Sequence, residues 1–399
     1  MNNISEIKDI CCGCRACFEV CPKEAITFKD NSEGFSYPIV DNQKCVSCGL
    51  CKKACPIINL SVNKDEQKGY AAFAREPGLL QESSSGGIFA VLASDVLSKK
   101  GVVVGCGYDE NNMPRHTIVR EKSELYRIQG SKYAQSNMES IMGQVLGELK
   151  KGRTVLFSGT PCQVAGLKNI IPLKWQYNLY TCDLICHGVP SRLLLKKYFQ
   201  WLEKKNKGML VSYNFRSKRR NDWSLTYRAE INKGSGRIKV IENIASIDPY
   251  YNSFLEAENY RRSCYSCPYS KSQRCGDITI GDFWGVEEEL PDVKTDQGVS
   301  AVLLNTEKGR LLFGEVSDQL MCFPVLPEQI IRHNGNLNFP SKCPDSREKF
   351  YSILLDGGFE QYYVNFKKTK RYKVEILRNL LSNRTRQNIK RLVKRGGSR

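Results

Sequence analysis

The sequence lacks the features that mark secreted and membrane-spanning proteins. No segment offers about 18 uninterrupted apolar residues, and the most apolar stretch, residues 88–97, is interrupted by Asp95. The first ten residues, MNNISEIKDI, contain no apolar run, so we expect no signal peptide. These absences predict a cytoplasmic protein. In that reducing compartment its 18 cysteines indicate metal ligands or buried thiols, because disulfides are rare there.

Histidine is scarce, with three residues, and acidic residues are few in one part of the chain. The net charge is +18, but residues 367–399 contain thirteen Lys or Arg and a single acid, Glu375, and so carry +12. This leaves +6 for the preceding 366 residues. The basic character therefore belongs to a tail. A length of 399 residues with 41% hydrophobic residues fits two or three folded domains.

A repeated cysteine pattern occupies residues 11–56. The run Cys-x2-Cys-x2-Cys-x3-Cys-Pro begins at Cys11 and again at Cys45. This is the spacing of a bacterial-type ferredoxin module with two [4Fe–4S] clusters, in which the fourth cysteine of each run ligates the other cluster. The pattern predicts one cluster on Cys11, Cys14, Cys17 and Cys55 and another on Cys45, Cys48, Cys51 and Cys21.

A pair of zinc sites or a disulfide framework is the alternative use of these cysteines. Four-cysteine zinc sites usually show two CxxC pairs, whereas each run here has three closely spaced cysteines closed by x3-Cys-Pro. The spacing therefore favours clusters. Cys12 falls outside the repeated pattern, and we do not expect it to be a ligand.

Changes in composition divide the chain into four regions. Residues 1–62 form the predicted ferredoxin domain, and a polar linker at residues 61–69 follows it. Alternating strand and helix patterns predict mixed α/β regions over residues 68–150 and 151–330, and residues 331–399 form a helical region with the basic tail. The predicted class is α+β, with a small two-cluster ferredoxin domain, a mixed α/β domain and a basic helical C-terminal tail.

Two turns in residues 68–150 are candidate anion sites. The cluster Ser84-Ser85-Gly86-Gly87 precedes a predicted helix at residues 88–97, whose N-terminal N–H groups and dipole favour a phosphate. A simple N-cap is the alternative. The turn Gly130-Ser131-Lys132-Tyr133 places a lysine where it can hold a phosphate or a flavin carbonyl, and a solvated lysine is the alternative there.

A third candidate turn follows the strand pattern of residues 154–158. The turn Gly159-Thr160-Pro161 leads into a helix, and open α/β sheets bind ligands at such strand–turn–helix junctions. Cys162 follows this turn, and Cys186 ends the next predicted strand. We therefore expect both cysteines at the ends of neighbouring strands.

The later cysteines allow three interpretations. Cys264 and Cys267 form a CxxC pair before a proline and can join Cys162 and Cys186 in a third [4Fe–4S] site, with Cys275 in reserve. Alternatively, Cys162 is a nucleophile with His187 as its base. In the third interpretation these are ordinary buried thiols.

Six motifs occur in order along the chain after the ferredoxin pattern. They are Glu82-Ser-Ser-Ser-Gly-Gly, Gly130-Ser-Lys-Tyr, Phe157-Ser-Gly-Thr-Pro-Cys-Gln-Val-Ala-Gly-Leu, Cys186-His-Gly-Val-Pro-Ser, Arg262-Ser-Cys-Tyr-Ser-Cys-Pro-Tyr and Asp277-Ile-Thr-Ile-Gly-Asp-Phe-Trp-Gly. With them, residues 1–325 resemble the family of coenzyme F420 hydrogenase/dehydrogenase beta subunits, in the form with an N-terminal two-cluster ferredoxin.

The resemblance implies an iron–sulfur flavoprotein whose mixed α/β domain binds FAD. It implies a third cluster on Cys162, Cys186, Cys264 and Cys267, and it removes Cys275 from the ligand set. It also implies that the Ser-Gly cluster and residues 130–133 contact the flavin. Nothing in the sequence identifies an F420 pocket, so the family's named substrate is not carried over.

The resemblance leads to two functional hypotheses. In the first, the clusters pass single electrons to or from FAD, which exchanges a hydride with a small organic substrate or a deazaflavin-like cofactor. In the second, the chain is a non-catalytic electron-transfer subunit of a separate enzyme. Both require an external electron donor or acceptor, either a ferredoxin-like protein or an enzyme subunit. His187 is either a proton donor or a hydrogen-bond donor to a cluster sulfur, and the second role is favoured.

Residues 214–223 and the basic tail have less specific interpretations. Arg216, Lys218 and Trp223 can close over an anionic substrate or lie in a solvated loop. Apolar residues recur among the bases of the tail at Ile376, Leu377, Leu380, Leu381, Ile389, Leu392 and Val393. A basic amphipathic helix is typical of a contact with the inner membrane surface or an acidic partner, and a terminal helix packed on its own domain is the alternative. Nucleic acid is not an expected partner.

Overall fold

A computed structural model describes residues 2–218, 223–294 and 296–380. Its helices are α1 Ala16–Glu19, α2 Leu50–Ala54, α3 Pro77–Glu82, α4 Ile88–Ser98, α5 Ile141–Lys150, α6 Pro161–Ile170, α7 Leu173–Gln176, α8 Arg192–Asn206, α9 Pro249–Leu255, α10 Val286–Glu289, α11 Glu307–Glu315, α12 Pro327–His333, α13 Arg347–Lys368 and α14 Lys370–Leu380. Its strands are β1 Ile26–Asp30, β2 Ser36–Val40, β3 Lys68–Ala74, β4 Val102–Tyr108, β5 Pro114–Val119, β6 Val155–Gly159, β7 Leu179–Leu184, β8 Met209–Asn214, β9 Thr226–Asn232, β10 Ile238–Ile244, β11 Ile278–Asp282, β12 Ser300–Leu304 and β13 Leu320–Val325.

The N-terminal domain is a duplicated loop–helix unit around one hairpin. Strands β1 and β2 pair antiparallel, and α1 and α2 each follow one cysteine loop. The two loops share their backbone conformation. Gly13 and Arg15 have φ of 69° and 67°, and Ser47 and Gly49, which stand 34 positions later, have φ of 55° and 76°. The sequence repeat is therefore also a repeat of the two left-handed turns that wrap each loop.

The central sheet has eight strands in the order β13-β3-β12-β11-β7-β6-β4-β5. The inner strands β4, β6, β7 and β11 run parallel, and the four outer strands pair antiparallel. Every residue of β6 is buried, as expected for a strand covered on both faces. The predicted strand at residues 154–158 and the predicted helix at residues 88–97 are confirmed.

Strands from both predicted α/β regions share this one sheet. Strand β3, from the first region, lies between β12 and β13 of the second. The predicted domain boundaries stay predictions. Because β4, β6, β7 and β11 are parallel neighbours, their C-terminal ends meet at one edge, and the turns after β6 and β7 lie side by side.

A second, three-stranded sheet was not predicted from the sequence. Strands β8, β9 and β10 form an antiparallel meander in the order β10-β9-β8. It packs with α8, α9 and α13 through an aromatic cluster in which the Tyr198 ring lies 5.0 Å from Tyr250 and 5.5 Å from Phe359. This layer carries residues 214–218 towards the edge of the central sheet.

A buried arginine joins the ferredoxin domain to the rest of the molecule. Arg261 is fully buried, and its guanidinium donates to the backbone oxygens of Cys11 at 2.5 Å and Ser36 at 2.8 Å. It also donates to the side chain of Gln135 at 3.1 Å and lies 4.3 Å from the Tyr37 ring centroid. One side chain therefore satisfies acceptors of the cysteine loop, the hairpin and the α/β domain at once.

The described part of the tail packs against its own domain. Glu375 on α14 accepts a hydrogen bond from Ser246 at 2.9 Å, and Arg371 forms an ion pair with Glu256. Residues 381–399, with Leu381, Ile389, Leu392 and Val393, and the side chain of Leu380 lie outside the described residues. Within the described ranges, no helix combines the length and apolarity needed to cross a bilayer.

Replacing Arg261 with methionine should loosen the ferredoxin domain. The Cys11 and Ser36 carbonyls would lose a charged donor in a buried site, at a cost of about 3 kcal/mol or more. We expect anaerobic limited proteolysis to cut the linker at residues 61–69 faster in this variant. The matched control is Arg262→Met, whose side chain is 45% exposed and pairs with Glu348 at 2.9 Å, an interaction worth about 1 kcal/mol or less. Equal cleavage rates in the two variants would contradict the role of Arg261 in holding the ferredoxin domain against the rest of the molecule.

Candidate redox centre

The eight ferredoxin cysteines form two sets that differ in exposure. The inner set, Cys11, Cys14, Cys17 and Cys55, is entirely buried. In the outer set, Cys51 is buried, Cys21 and Cys45 are partly exposed, and Cys48 is exposed. Burial raises the pKa of Cys17, and the nearby thiols of Cys11, Cys55 and Cys51 raise it further, so Cys17 lies close to members of both sets. The crossed pairing of the two runs stays a prediction.

Protein N–H groups are directed at sulfurs in both sets. The Gly13 amide donates to Cys11 Sγ at 3.3 Å, and the Ala25 amide donates to Cys21 Sγ at the same distance. Cys21 belongs to the outer set, and in the same set the Asn3 side-chain amide donates to Cys45 Sγ at 3.5 Å. Donors of this kind stabilise thiolates, the form that ligates iron.

The four later cysteines come together from three separate elements. Cys162 is the second residue of α6, Cys186 lies two residues after β7, and Cys264 and Cys267 belong to the 3₁₀ turn at Arg262–Ser266 and the residue that follows it. Burial, then the fields of the other three thiols, raise the pKa of Cys186. The expectation that Cys162 and Cys186 follow neighbouring parallel strands is confirmed.

Backbone contacts hold these elements against each other. The Arg261 amide donates to the Val189 carbonyl at 2.9 Å, which ties the Cys186 segment to the turn that carries Cys264. Gly188 has φ of 150°, and a Cβ there would lie 2.3 Å from the Tyr260 ring. The close approach of the two segments therefore depends on a glycine at this position.

Cys275 has a different environment from this group. It is buried, and its thiol donates to the Pro161 carbonyl and to Asp183 Oδ2, both at 3.2 Å. Cys275 is thus engaged within the core. Among the described residues, no three His, Cys, Asp or Glu side chains stand close enough to hold a single metal ion.

A cavity of about 280 Å³ lies at the C-terminal edge of β6, β7 and β11, near the lower end of the usual size range for ligand pockets. Its lining includes nine of the eleven predicted cofactor-contact residues: Ser84, Ser85, Gly87, Gly130, Ser131, Lys132, Tyr133, Gly159 and Thr160. Cys186 and His187 also line it. Gly86 and Pro161 stand outside the lining. A Cβ on Gly86 would lie 2.3 Å from the Ala72 carbonyl, so this glycine packs against β3.

The Ser-Gly cluster and the turn at residues 130–133 form one wall of the cavity. The Ser131 amide donates to Ser84 Oγ at 2.8 Å, which joins the two turns. Helix α4 begins directly after Gly87, and this N-cap residue has no side chain with which to bond the first amides of the helix. Its first N–H groups and the positive end of its dipole therefore favour an anion at this wall.

Two lysines near the cavity have carbonyl partners. Lys132 donates to the carbonyls of Gln129 at 2.6 Å and Gly130 at 3.2 Å. Lys218 donates to the carbonyls of Leu80 at 2.8 Å and Ser85 at 2.6 Å. Desolvation lowers the pKa of each to about 8, so both are largely charged at pH 7. Within the described ranges no carboxylate pairs with Lys132 or Lys218, which leaves their charge available to an anionic ligand.

The described residues directly after β8, at positions 215–218, are buried and not solvated. Arg216 is buried and lines the cavity, and its guanidinium pairs with both oxygens of Asp282 at 2.5 and 3.3 Å. Trp223 also donates to Asp282, and its ring stacks on Trp284 at 5.3 Å. Arg216 is therefore neutralised by its partner, and the stacked indoles lie beside this ion pair at the cavity.

The two cavity-lining histidines differ in how they are held. The side chain of His187 faces the open space of the cavity. The protein around it still displaces part of its water, and this desolvation lowers the pKa of His187, so its imidazole is neutral at pH 7. No sequence motif pointed to His116. It is buried between Ser136 at 2.7 Å and the Ser158 carbonyl at 2.9 Å, and burial lowers its pKa to about 4. Its nitrogens are satisfied, so His116 supports the turn after β6.

Three family models match successive parts of the chain. The model described as a 4Fe-4S dicluster domain covers residues 10–57 and implies two [4Fe–4S] clusters there. Two models describe the coenzyme F420 hydrogenase/dehydrogenase beta subunit. The one for its N-terminal part covers residues 69–142, and the one for its C-terminal part covers residues 152–322. These two ranges contain the cavity wall at residues 84–87 and 130–133 and the four later cysteines.

Two curated proteins and one solved structure are similar to this chain. The F subunit of F420H2 dehydrogenase from Methanosarcina mazei is 21% identical over 367 residues, which is 88% of this chain and 94% of that protein. The coenzyme F420-dependent sulfite reductase of Methanocaldococcus jannaschii is 23% identical over 323 residues, 77% of this chain and 46% of that protein.

The similar solved structure is a chain of the F420-reducing [NiFe] hydrogenase complex from Methanosarcina barkeri. It is 14% identical with a TM-score of 0.43, and the match covers 71% of this chain and 97% of that one. The family models, which together span most of the chain, establish its membership. It belongs to the family of coenzyme F420 hydrogenase/dehydrogenase beta subunits, which are oxidoreductases, in a form that carries an N-terminal 4Fe–4S dicluster domain.

Proposed function

We propose that this protein is an iron–sulfur flavoenzyme. In this proposal, single electrons pass between an external carrier and FAD through the two ferredoxin clusters and a third cluster on Cys162, Cys186, Cys264 and Cys267. FAD exchanges a hydride with a small organic substrate or a deazaflavin-like cofactor. The observation that carries the proposal is the position of Cys186, which belongs to the later cysteine group and also lines the cavity. A cluster on these residues would therefore lie against whatever the cavity holds.

The donor groups of the cavity fit a flavin with its phosphates. The uncapped start of α4 and Lys218 beside Ser85 offer positive charge to an anion, and Ser84 and Ser131 offer hydroxyls. Lys132 offers a charged donor to a flavin carbonyl or to a phosphate. Flavin supplies the exchange between one-electron and two-electron steps, and the protein supplies its position and electrostatics.

His187 is assigned a hydrogen-bonding role at the third cluster. It directly follows Cys186, and its imidazole is neutral at pH 7 because its pKa is lowered. A neutral imidazole still carries one N–H that can donate to a ligand sulfur, whereas a proton donor to substrate works best with a pKa near the working pH. The Ser341 hydroxyl donates to the His187 carbonyl at 2.7 Å and fixes the backbone here.

The outer cysteine set is assigned to the external carrier. Cys48 is exposed, and the side chains of Val46 and Leu50 beside it are 58% and 42% exposed. A partner protein can therefore approach this loop, whereas the inner set is covered. The same exposure suits the second candidate, a non-catalytic subunit that passes electrons to a separate enzyme, and one relative is named as a subunit of F420H2 dehydrogenase. Turnover of a small-molecule acceptor by the isolated protein favours the enzyme, and reduction of a partner protein alone favours the second candidate.

Metal and flavin analysis of anaerobically purified protein tests the proposal. We expect about twelve irons, in three clusters of four, and one flavin per chain. Cys267→Ser should retain about eight irons, because it removes a ligand of the third cluster only. Cys275→Ser should retain all twelve, because that thiol is engaged with Pro161 and Asp183.

The two cysteine variants are matched in chemistry and lie eight positions apart. Loss of four irons in Cys275→Ser with full content in Cys267→Ser would reverse the ligand assignment. Protein that holds no flavin after anaerobic reconstitution would exclude the flavoenzyme.

The affinity of flavin-depleted protein for FAD should fall as the pH rises. The charged form of Lys132 binds an anionic or carbonyl group, and this form is lost above its pKa of about 8, so the dissociation constant should rise about tenfold between pH 7 and pH 9. Fluorescence titration with FAD measures this change. Lys132→Arg should keep the affinity at pH 7 and remove the part of the pH dependence that Lys132 causes, because arginine stays charged.

Lys218→Met is the comparison, because Lys218 has the same pKa of about 8 but hydrogen-bonds Leu80 and Ser85. If Lys132 binds the flavin through its charge, Lys218→Met weakens binding at pH 7 but keeps the tenfold change that Lys132 causes. A pH dependence in Lys132→Arg as large as that of the unmodified protein would contradict the role of Lys132.

A further inference from the structure

Cys12 is the one cysteine of residues 11–55 that the repeated pattern leaves without a role. It lies in sequence between two residues of the inner set, Cys11 and Cys14, and its side chain is partly buried. It belongs to the same buried cluster as Cys14 and Cys162, and the Cys14 thiol raises the pKa of Cys12 whereas the Cys162 thiol lowers it. Cys12 therefore lies close to one member of the inner set and one member of the later group.

Contacts on both sides fix the position of this thiol. The Cys12 carbonyl accepts a hydrogen bond from Gln135 Nε2 at 2.9 Å. The Cys11 carbonyl accepts from Arg261 Nε at 2.5 Å and from Ser263 Oγ at 3.0 Å, and Ser263 directly precedes Cys264. The cysteine loop is thus held by the same segment that carries the CxxC pair.

Helix α6 approaches the inner set equally closely. A Cβ on Gly166 would lie only 3.1 Å from Cys14 Sγ and 3.4 Å from Ala16 Cβ, so the glycine allows the helix to rest against the loop. Cys162 lies one helical turn before Gly166 on α6. Cys14 is a buried member of one apolar cluster, and both Cys12 and Cys162 pack against that cluster.

We propose that the Cys12 thiol bridges the inner ferredoxin cluster and the third cluster, by donating its S–H to ligand sulfurs of the two clusters. The inference rests on the proposed function, since it requires the third cluster. It adds to the proposed function the order in which electrons move between the clusters. One electron leaves the inner cluster as the third cluster gains one, and the outer cluster exchanges electrons only with the external carrier and the inner cluster.

The physical role of the thiol is to position and tune its neighbours. A hydrogen bond to a ligand sulfur withdraws negative charge from the cluster and so favours the reduced state. Cys12 has one proton to donate and two ligand sulfurs within reach, so the effect is shared between the two adjacent clusters. The thiols that raise or lower the pKa of Cys12 are Cys11, Cys14 and Cys162, which belong to the inner set and the later group.

A redox titration of the intact protein, monitored by electron paramagnetic resonance, tests the inference. Cys12→Ala should keep about twelve irons and the flavin but move the midpoint potentials of the third and inner clusters to more negative values. We expect the shifts of these two midpoint potentials to add up to about 59 mV, which for a one-electron couple is a tenfold change in the reduction equilibrium. The potential of the outer cluster should not change.

Two further variants separate tuning from simple packing. Cys12→Ser retains a hydroxyl donor at the same position and should restore the potentials towards those of the unmodified protein. Cys322→Ala removes a partly buried cysteine of β13, at the far edge of the central sheet, and should change none of them.

The outcomes distinguish this inference from the proposal beneath it. If the unmodified protein contains twelve irons and Cys12→Ala shifts neither adjacent cluster, the bridge is wrong and the proposed function stands. If Cys12→Ala loses four irons, Cys12 is a ligand and the bridge is again wrong. If the unmodified protein contains only eight irons, the third cluster and the bridge fail together.

Discussion

The buried guanidinium of Arg261 is the interaction on which the arrangement of the two halves depends. It satisfies the Cys11 and Ser36 carbonyls of the ferredoxin domain and Gln135 of the α/β domain, in a place that water does not reach. A buried charge of this kind is stable only when all its donors find partners, so the contact tolerates little displacement of either domain. Because Arg261 lies three residues before Cys264, the same contact sets the separation between the inner cysteine loop and the CxxC turn.

The charges around the cavity follow from the same principle. Arg216 is buried with a bidentate partner, Asp282, and therefore contributes shape and rigidity more than net charge. Lys132 and Lys218 donate to carbonyl partners, which orient an ammonium without neutralising it. Among the described residues, these two lysines and the start of α4 place positive charge at or near the cavity, although residues 1–366 as a whole carry only +6. A local excess of positive charge indicates an anionic ligand more strongly than the net charge of the whole chain does.

The sequence could predict what local patterns determine. Three predicted features depend on spacing or periodicity within about ten residues, and the structure has them: each cysteine run, the strand at residues 154–158 and the helix after the Ser-Gly cluster. The meeting of Cys162 with Cys186 followed from one topological rule, that parallel neighbours end at the same edge. The Arg216–Asp282 pair, the support role of His116 and the three-stranded sheet could not be predicted in this way. Each depends on partners distant in the sequence, whose proximity only the packed fold determines.

Cys12 shows why a motif is an incomplete account of a site. The repeated pattern identifies ligands by their spacing, and a residue between two ligands counts only as a spacer. Its contact with Cys162 crosses 150 positions of sequence and exists because Gly166 lets α6 rest against the loop and Arg261 holds the loop in place. The burial of the two sets then determines the order of the proposed relay. The outer set reaches the surface at Cys48, whereas the inner set is buried and lies close to the later group at Cys12. In the proposed relay, electrons from a partner protein therefore pass the outer cluster before the inner one.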